Sequence, residues 1–179
     1  SNNLASAAIA ISLAPYADLL MSDVTAPTQT IADPAYVTIG WTVTNIGNGA
    51  GRTDTWTDRI IATPNNLIGD GDDRILGVFT HTGFLDPAAS YSRSENLILP
   101  AGFTGHFNLY VQTDAGNAVF ENGLKANNAA KAPNVFDVMP IPYANLQVSQ
   151  ATAAPTAESG GTLHVSWHVE NAGIGRTDT

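Results

Sequence analysis

The chain repeats itself, and this repetition limits the folds open to it more than any other feature. Three short segments of the first third return near the C-terminus in the same order, about 125 residues later. Pro15–Leu19 returns as Pro142–Leu146, Gly40–Asn45 as Ser166–Asn171, and Gly51–Thr55 as Gly175–Thr179, while Asn2-Asn3 matches Asn127-Asn128. Similarity at a fixed spacing is typical of modules joined in an array.

The repetition divides the 179 residues into three parts. Residues 1–14 are predicted to be the last strand of a preceding repeat, residues 15–141 a complete repeat, and residues 142–179 the truncated start of the next one. Because Thr179 matches Thr55, where the first copy continues into Trp56, we expect the chain to be a piece of a longer protein. The alternative is a two-lobed protein with a degenerate second half.

Residues 36–45 alternate between apolar and polar side chains, which is the period of a half-buried β-strand. The apolar face carries Val37, Ile39, Trp41 and Val43 in the first copy and Leu163, Val165, Trp167 and Val169 in the second. Further strands are predicted at Asp18–Thr25, Trp56–Thr63, Arg74–His81, Tyr91–Leu99, His106–Asp114, Ala118–Glu121 and Asn134–Val138. Seven to eight short strands per repeat predict an all-β fold, an immunoglobulin-like antiparallel β-sandwich. Because the chain has no cysteine, we expect Trp41 to hold its sheet by packing alone.

Composition excludes several classes of function. The formal net charge is −9 and the seven basic residues are scattered, which argues against nucleic acid or anionic lipid as a partner. The absence of cysteine excludes disulfides, thiolate metal sites and thiol catalysis. The apolar stretch from Leu4 to Met21 is interrupted by Pro15 and Asp18, so we expect no membrane insertion.

Several motifs follow one another in a recognisable order. They are Val43–Gly47, Trp56–Ile60, Leu85–Tyr91, Val111–Asp114, Val119–Glu121 and Asn127-Asn128. Their order and spacing resemble those of the CARDB family, the cell-adhesion-related bacterial domain, except that Ala89 stands where glycine is usual. The resemblance covers residues 17–138 and resumes in residues 144–179. It implies an immunoglobulin- or fibronectin-like fold and a large, repetitive, secreted or cell-surface bacterial protein, and it gives no ligand.

The sharpest candidate for chemistry is an acidic, glycine-rich turn that contains Asp70, Asp72 and Asp73. Ca²⁺ takes six to eight oxygen ligands from flexible loops, and these carboxylates with nearby amide and carbonyl oxygens predict a Ca²⁺ site. The turn is not an EF-hand, since the twelfth position from Asp70 is His81. An ordinary solvated turn is the alternative. Asp58 is a further candidate ligand; otherwise we expect it to face outward or lie at an edge.

A second candidate pairs Asp114 with Glu121. Residues 114–117 predict a hairpin turn with a positive φ at Gly116, which returns Glu121 alongside Asp114. The two carboxylates either share a cation or bind backbone amides at the end of the sheet. A cation close to the Asn127-Asn128 pair would stiffen adjacent repeats if that pair lies at a junction.

Enzyme motifs are absent from the sequence, and we expect no catalytic residues and no enzymatic activity. There is no G-x-S-x-G segment, and His81 and His106 are expected to be plain surface residues. Exposed aromatic residues would favour sugar binding, and Phe84 and Phe103 fall in predicted turns.

These observations favour a spacer or stalk module of a secreted, cell-surface bacterial adhesin, whose partners are the neighbouring repeats of its own chain. A module that binds a glycan or a protein on a cell surface, and an accessory domain beside a secreted enzyme, are the alternatives. The incomplete repeats at either end are expected to be disordered or to exchange strands between copies of the chain.

Overall fold

The computed structural model describes residues 3–177, which form eleven β-strands and no helix. The strands are β1 (Leu19–Thr25), β2 (Gln29–Ile31), β3 (Tyr36–Asn45), β4 (Thr55–Thr63), β5 (Arg74–Thr82), β6 (Ser90–Ile98), β7 (Gly105–Gln112), β8 (Ala129–Lys131), β9 (Phe136–Met139), β10 (Leu146–Ala153) and β11 (Val165–Asn171). The prediction of an all-β chain is therefore confirmed. No helix in the described part is long and apolar enough to cross a membrane.

The first nine strands form two sheets. One sheet has the order β1-β3-β6, and the other has the order β2-β9-β7-β4-β5 with β8 paired to β7. The two sheets share one apolar core, to which Ile39, Trp41, Ile60, Leu109 and Phe136 contribute. Strands β10 and β11 pair only with each other.

The alternation of apolar and polar residues correctly predicted the long strands. Strand β3 begins and ends where the pattern predicts, and Val37, Ile39, Trp41 and Val43 are at most 4% exposed. The sandwich has nine strands rather than seven to eight. The prediction missed β2 and β8, because each contains only three residues and shows no readable period. Strand β2 also pairs with β9 in parallel, so the sandwich is not purely antiparallel.

The predicted strand Ala118–Glu121 is wrong. Asp114 and Asn117 have φ angles of 45° and 54°, whereas Gly116 is not left-handed as predicted. The Asp114 carboxylate then accepts the backbone N–H groups of Ala118 and Val119, at 2.7 and 3.2 Å. Since a side chain takes the amides that a sheet would use, this segment forms a loop.

The N-terminal segment makes no strand in the described residues 3–18. Leu4, Ile9 and Ile11 are more than 80% exposed. The assignment of residues 1–14 to a preceding repeat stays a prediction, and Ser1 and Asn2 lie outside the described residues. Asp178 and Thr179, which belong to the repeated segment at the C-terminus, lie outside them as well.

The β10–β11 pair has the same geometry as the β1–β3 pair. Leu19 pairs with Asn45, and Leu146 pairs with Asn171. Both pairs have an irregularity three residues later, between Ser22 and Thr25 in one and between Ser149 and Thr152 in the other. Asp23 and Gln150, which lie in those irregularities, have φ angles of 51° and 59°.

The same asparagine fixes the end of both pairs. Asn45 accepts the backbone N–H groups of Asp18 and Gly47 and donates to the carbonyl of Gly49. Asn171 makes the three equivalent bonds, to Asn145, Gly173 and Gly175. A Cβ atom at Gly47 would lie 2.5 Å from a backbone oxygen, so only glycine allows this close approach.

The two pairs differ in what covers them. The apolar face of β1–β3 is buried against the second sheet, whereas the equivalent face of β10–β11 is open. Val148, Trp167 and Val169 are 67%, 63% and 44% exposed.

Candidate functional site: acidic loop and buried carboxylates

The acidic loop connects β4 to β5 and brings its three carboxylates together. One oxygen each of Asp70, Asp72 and Asp73 lies within 4.8 Å of the others, and no other such group of three occurs in the part of the chain that the structure describes. The side-chain amide of Asn65 donates to Asp70 at 3.0 Å and to Asp72 at 2.9 Å. The Gly69 N–H donates to one oxygen of Asp73, while the other, Oδ1, is buried without a partner. The loop therefore holds three carboxylates in one fixed cluster.

The carboxylates of this loop influence one another's protonation. The hydrogen bond from Asn65 lowers the pKa of Asp70, and the bond between Asp70 and Asp72 lowers it further. The same bond to Asp70 raises the pKa of Asp72, and burial and the charges of Asp70 and Asp73 add to that rise. Neighbouring like charges make full ionisation unfavourable, and a bound cation would remove this conflict.

Asp58 is neither outward-facing nor part of the loop cluster, which corrects both expectations for it. It lies on β4 and is fully buried in the core. Its Oδ2 accepts the indole N–H of Trp41 at 2.8 Å, and the hydroxyl of Tyr91 lies 2.9 and 3.0 Å from its two oxygens. Because Trp41 and Tyr91 belong to β3 and β6, this carboxylate joins the two sheets through hydrogen bonds. Trp41 is therefore not held by packing alone.

An aromatic stack covers this connection. The His81 ring lies between Trp56 and Tyr91, with centroid distances of 4.1 Å to each. His81 was expected to be a plain surface residue, and that expectation is wrong. Burial lowers the pKa of His81 and raises the pKa of the Tyr91 hydroxyl, whose rise the charge of Asp58 increases. Trp56 Nε1 donates to the Tyr91 oxygen at 3.1 Å and completes the network.

The second predicted pair does come together, but a lysine lies between its members. The side chains of Asp114 and Glu121 are fully buried, and Lys125 Nζ donates to them at 2.5 and 3.0 Å. Glu121 also accepts the backbone N–H of Leu19 at 2.7 Å. Burial alone would lower the pKa of Lys125, but its bonds to Asp114 and Glu121 outweigh burial and raise that pKa.

The prediction of a shared metal at Asp114 and Glu121 is therefore corrected. The alternative, that these carboxylates bind backbone amides, describes the structure, and the cation between them is the Lys125 ammonium. Sequence reasoning missed Lys125, because outside a helix a spacing of four residues does not show that two side chains meet.

The Asn127-Asn128 pair belongs to the same network. The Asn128 side chain donates to Glu121 at 2.8 Å, and that of Asn127 donates to Asp18 at 2.8 Å. The Met21 N–H donates to the Asn127 carbonyl. The pair thus anchors the loop after β7 onto β1.

Comparison with solved structures finds similar β-sandwich domains. The crystal structure of a CARDB domain from Pyrococcus furiosus, solved in complex with di-metal ions, matches with a TM-score of 0.48 and 18% identity over 69% of this chain and 90% of that chain. A solution NMR structure of the same domain matches with a TM-score of 0.48 and 17% identity, over 70% and 97% of the two chains. Both are of the family whose motifs the sequence resembles.

Matches to larger proteins cover only part of them. β-Glucosidase 3B from Thermotoga neapolitana, in complex with α-D-glucose, matches with a TM-score of 0.40 and 16% identity, over 69% of this chain and 16% of the glucosidase. Comparison with protein-family models finds no match, and neither does comparison with curated protein sequences.

The inter-sheet network predicts a specific effect of removing one hydroxyl. Tyr91→Phe removes a donor from buried Asp58 and an acceptor from Trp56, so we expect unfolding to become about 2 kcal/mol easier. Tyr36→Phe, at a side chain that is 73% exposed, is the matched control and should have little effect. Chemical denaturation at pH 7 measures both. Equal stabilities for the two variants would contradict the importance of the network.

The internal cation predicts a second effect. Lys125→Met leaves Asp114 and Glu121 buried without a positive partner, so we expect a loss of about 3 kcal/mol in the free energy of unfolding. Lys131→Met is the control, because its exposed ammonium binds only the side-chain oxygens of Asn66 and Asn108. Denaturant titrations of both variants provide the measurement. A loss no larger than that of the control would show that Lys125 is dispensable.

Proposed function

We propose that this chain is a segment of a tandem array of β-sandwich modules, which acts as a spacer in a secreted or cell-surface adhesin. The observation that carries the proposal is the duplicated corner. Strands β10 and β11 reproduce the register, the irregularity and the asparagine bonds of β1 and β3. Such detail supports two copies of one module rather than a chance hairpin. The natural partners are then neighbouring modules of the same chain.

The positions of the first and last strands support a linear array. Leu19 lies opposite Asn45, the last residue of β3, whereas the Met139 carbonyl accepts the N–H of Ala32, four residues before β3 begins. The chain therefore enters the sandwich at Leu19, at one end, and leaves it at Met139, at the opposite end. Modules joined in this way extend end to end, which suits a spacer.

The acidic loop gives the module a cation site, and we assign it to Ca²⁺. Asp70, Asp72 and Asp73 supply only oxygen ligands, with the unpartnered Asp73 Oδ1 among them. Hard oxygen ligands in an irregular loop suit Ca²⁺, whereas Mg²⁺ demands a stricter octahedral geometry. A cation that ties the loop together would stiffen this end of the module.

The array proposal predicts what a longer chain will do. Adding a second copy of residues 56–141 after Thr179 supplies the sheet that β10–β11 lacks. We expect Trp167 to become buried, which shifts its fluorescence to shorter wavelength. Trp167→Ala should then cost about 3 kcal/mol in the extended chain and almost nothing in the original one.

Two results would oppose the array. One is a Trp167 that stays exposed in the extended chain, and the other is an equal effect of Trp167→Ala in both chains. Light scattering of the original chain tests whether copies exchange strands, because the open apolar face of β10–β11 is the surface through which they would do so.

The cation proposal predicts a shift in thermal stability. Millimolar Ca²⁺ should raise the melting midpoint above that in EDTA, since saturation at about 100 times the dissociation constant adds about 2.7 kcal/mol. Asp72→Asn should abolish the rise, whereas Asp86→Asn, on another exposed turn, should keep it. Mg²⁺ is the ionic control. No shift with Ca²⁺, or the same shift in both variants, would show that the loop is an ordinary turn without a cation site. The array proposal would not be affected.

A further inference from the structure

A cleft of about 450 Å³ lies at one end of the sandwich, beside the acidic loop. The turn between β6 and β7, Pro100–Thr104, forms one wall together with Phe107. Pro64, Asp72 and Arg74 form the opposite wall. Its volume falls within the range of sites that hold one small ligand. Phe103 and Phe107 are partly buried and also pack against the edge of the core.

Two phenyl rings form its apolar wall. Phe103 and Phe107 stack with their centroids 4.5 Å apart and their planes 20° from parallel. The turn that carries Phe103 is fixed at both sides, since the Phe103 N–H donates to Pro100 and the Gly102 N–H donates to the Asp33 carboxylate at 2.8 Å. Gly102 has a φ of 74°, which a residue with a side chain rarely adopts. The aromatic wall is therefore in place before any ligand arrives.

The opposite wall supplies donors and acceptors side by side. Arg74 is exposed, and its guanidinium takes part in none of the hydrogen bonds or salt bridges found in residues 3–177. Asp72 lines the same wall, and its carboxylate oxygens keep lone pairs besides the bonds they accept from Thr63 and Asn65. A planar fork of N–H donors beside a carboxylate matches neighbouring hydroxyl groups, which donate and accept at the same time.

We propose that this cleft binds one neutral hexose unit of a glycan. The flat C–H face of the sugar lies on the phenyl wall, and its hydroxyl groups face Arg74 and Asp72. Charge selects against acidic sugars, because Asp70, Asp72 and Asp73 outnumber Arg74 here and the chain carries a net charge of −9. The site does not require the array, and because Asp72 is also a proposed Ca²⁺ ligand, the selection against acidic sugars applies to the cation-free loop.

The test is a titration of the whole chain followed by ¹H–¹⁵N NMR, in EDTA so that no divalent cation contributes. The probes are glucose, galactose and mannose, with glucuronic acid as the charged comparison. We expect at least one neutral hexose to shift signals of residues 72–74 and 100–107 with millimolar affinity, and glucuronic acid to bind more weakly.

Three variants sharpen the result. Phe103→Leu removes the ring but keeps an apolar side chain, and should weaken binding about tenfold. Arg74→Met removes the donors from an exposed position and should weaken it about tenfold as well. Phe84→Leu is the control, because Phe84 is 59% exposed on a different turn and should leave affinity unchanged. If Phe103→Leu lowers the melting midpoint, its weaker binding no longer tests the role of the ring, and the affinity of Arg74→Met is then the test of the site.

The proposal is overturned if no hexose shifts the cleft signals, if the shifts lie elsewhere, or if Arg74→Met binds as well as the parent chain. Stronger binding of glucuronic acid than of any neutral hexose would refute the selection against charge and, with it, the proposed ligand.

Discussion

The sandwich depends on one buried carboxylate that both sheets share. Asp58 comes from β4, and its oxygens are bound by Trp41 and Tyr91, which come from the opposite sheet. A lone buried carboxylate would be very costly, but hydrogen bonds to a charged group contribute about 1.5–3 kcal/mol each. The connection thus fixes the relative position of the sheets without a disulfide, and it does so only when both donors are present.

The same interaction determines which side chains meet between β5 and β6, the edge strands of the two sheets. Tyr91 must reach across to Asp58, so its ring lies between the sheets, and His81 fills the space next to it. Arg93, two residues along β6, donates to the Thr80 carbonyl at 3.0 Å and lies over the Phe79 ring. Polar and aromatic side-chain contacts therefore join β5 to β6, which have no backbone pairing with each other. In β10–β11, Trp167 has the position of Trp41 but no carboxylate within the described residues to receive its indole.

Sequence patterns predicted the parts of this fold that follow from local periodicity. Strand β3 was placed correctly because burial on one face alternates along its whole length. The roles of Asp58 and Lys125 were not predicted, because their partners are distant in sequence or lie across a loop. A buried Asp58 breaks the polar-outside rule, and only the positions of Trp41 and Tyr91 explain why. The three loop aspartates were found because turn composition is local, whereas the ion that neutralises Asp114 is visible only in three dimensions.

The two acidic clusters show how this chain treats negative charge in opposite ways. Asp114 and Glu121 are buried, so their charge had to be balanced internally, and backbone amides, Asn128 and Lys125 do so. In the loop, Asn65 and one backbone N–H bind the carboxylates, yet no salt bridge found in residues 3–177 reaches them. Neutral donors orient carboxylates without removing their mutual repulsion, as the raised pKa of Asp72 indicates. The Ca²⁺ ion proposed above would supply the positive charge that this loop lacks, whereas Lys125 already supplies it to the buried pair.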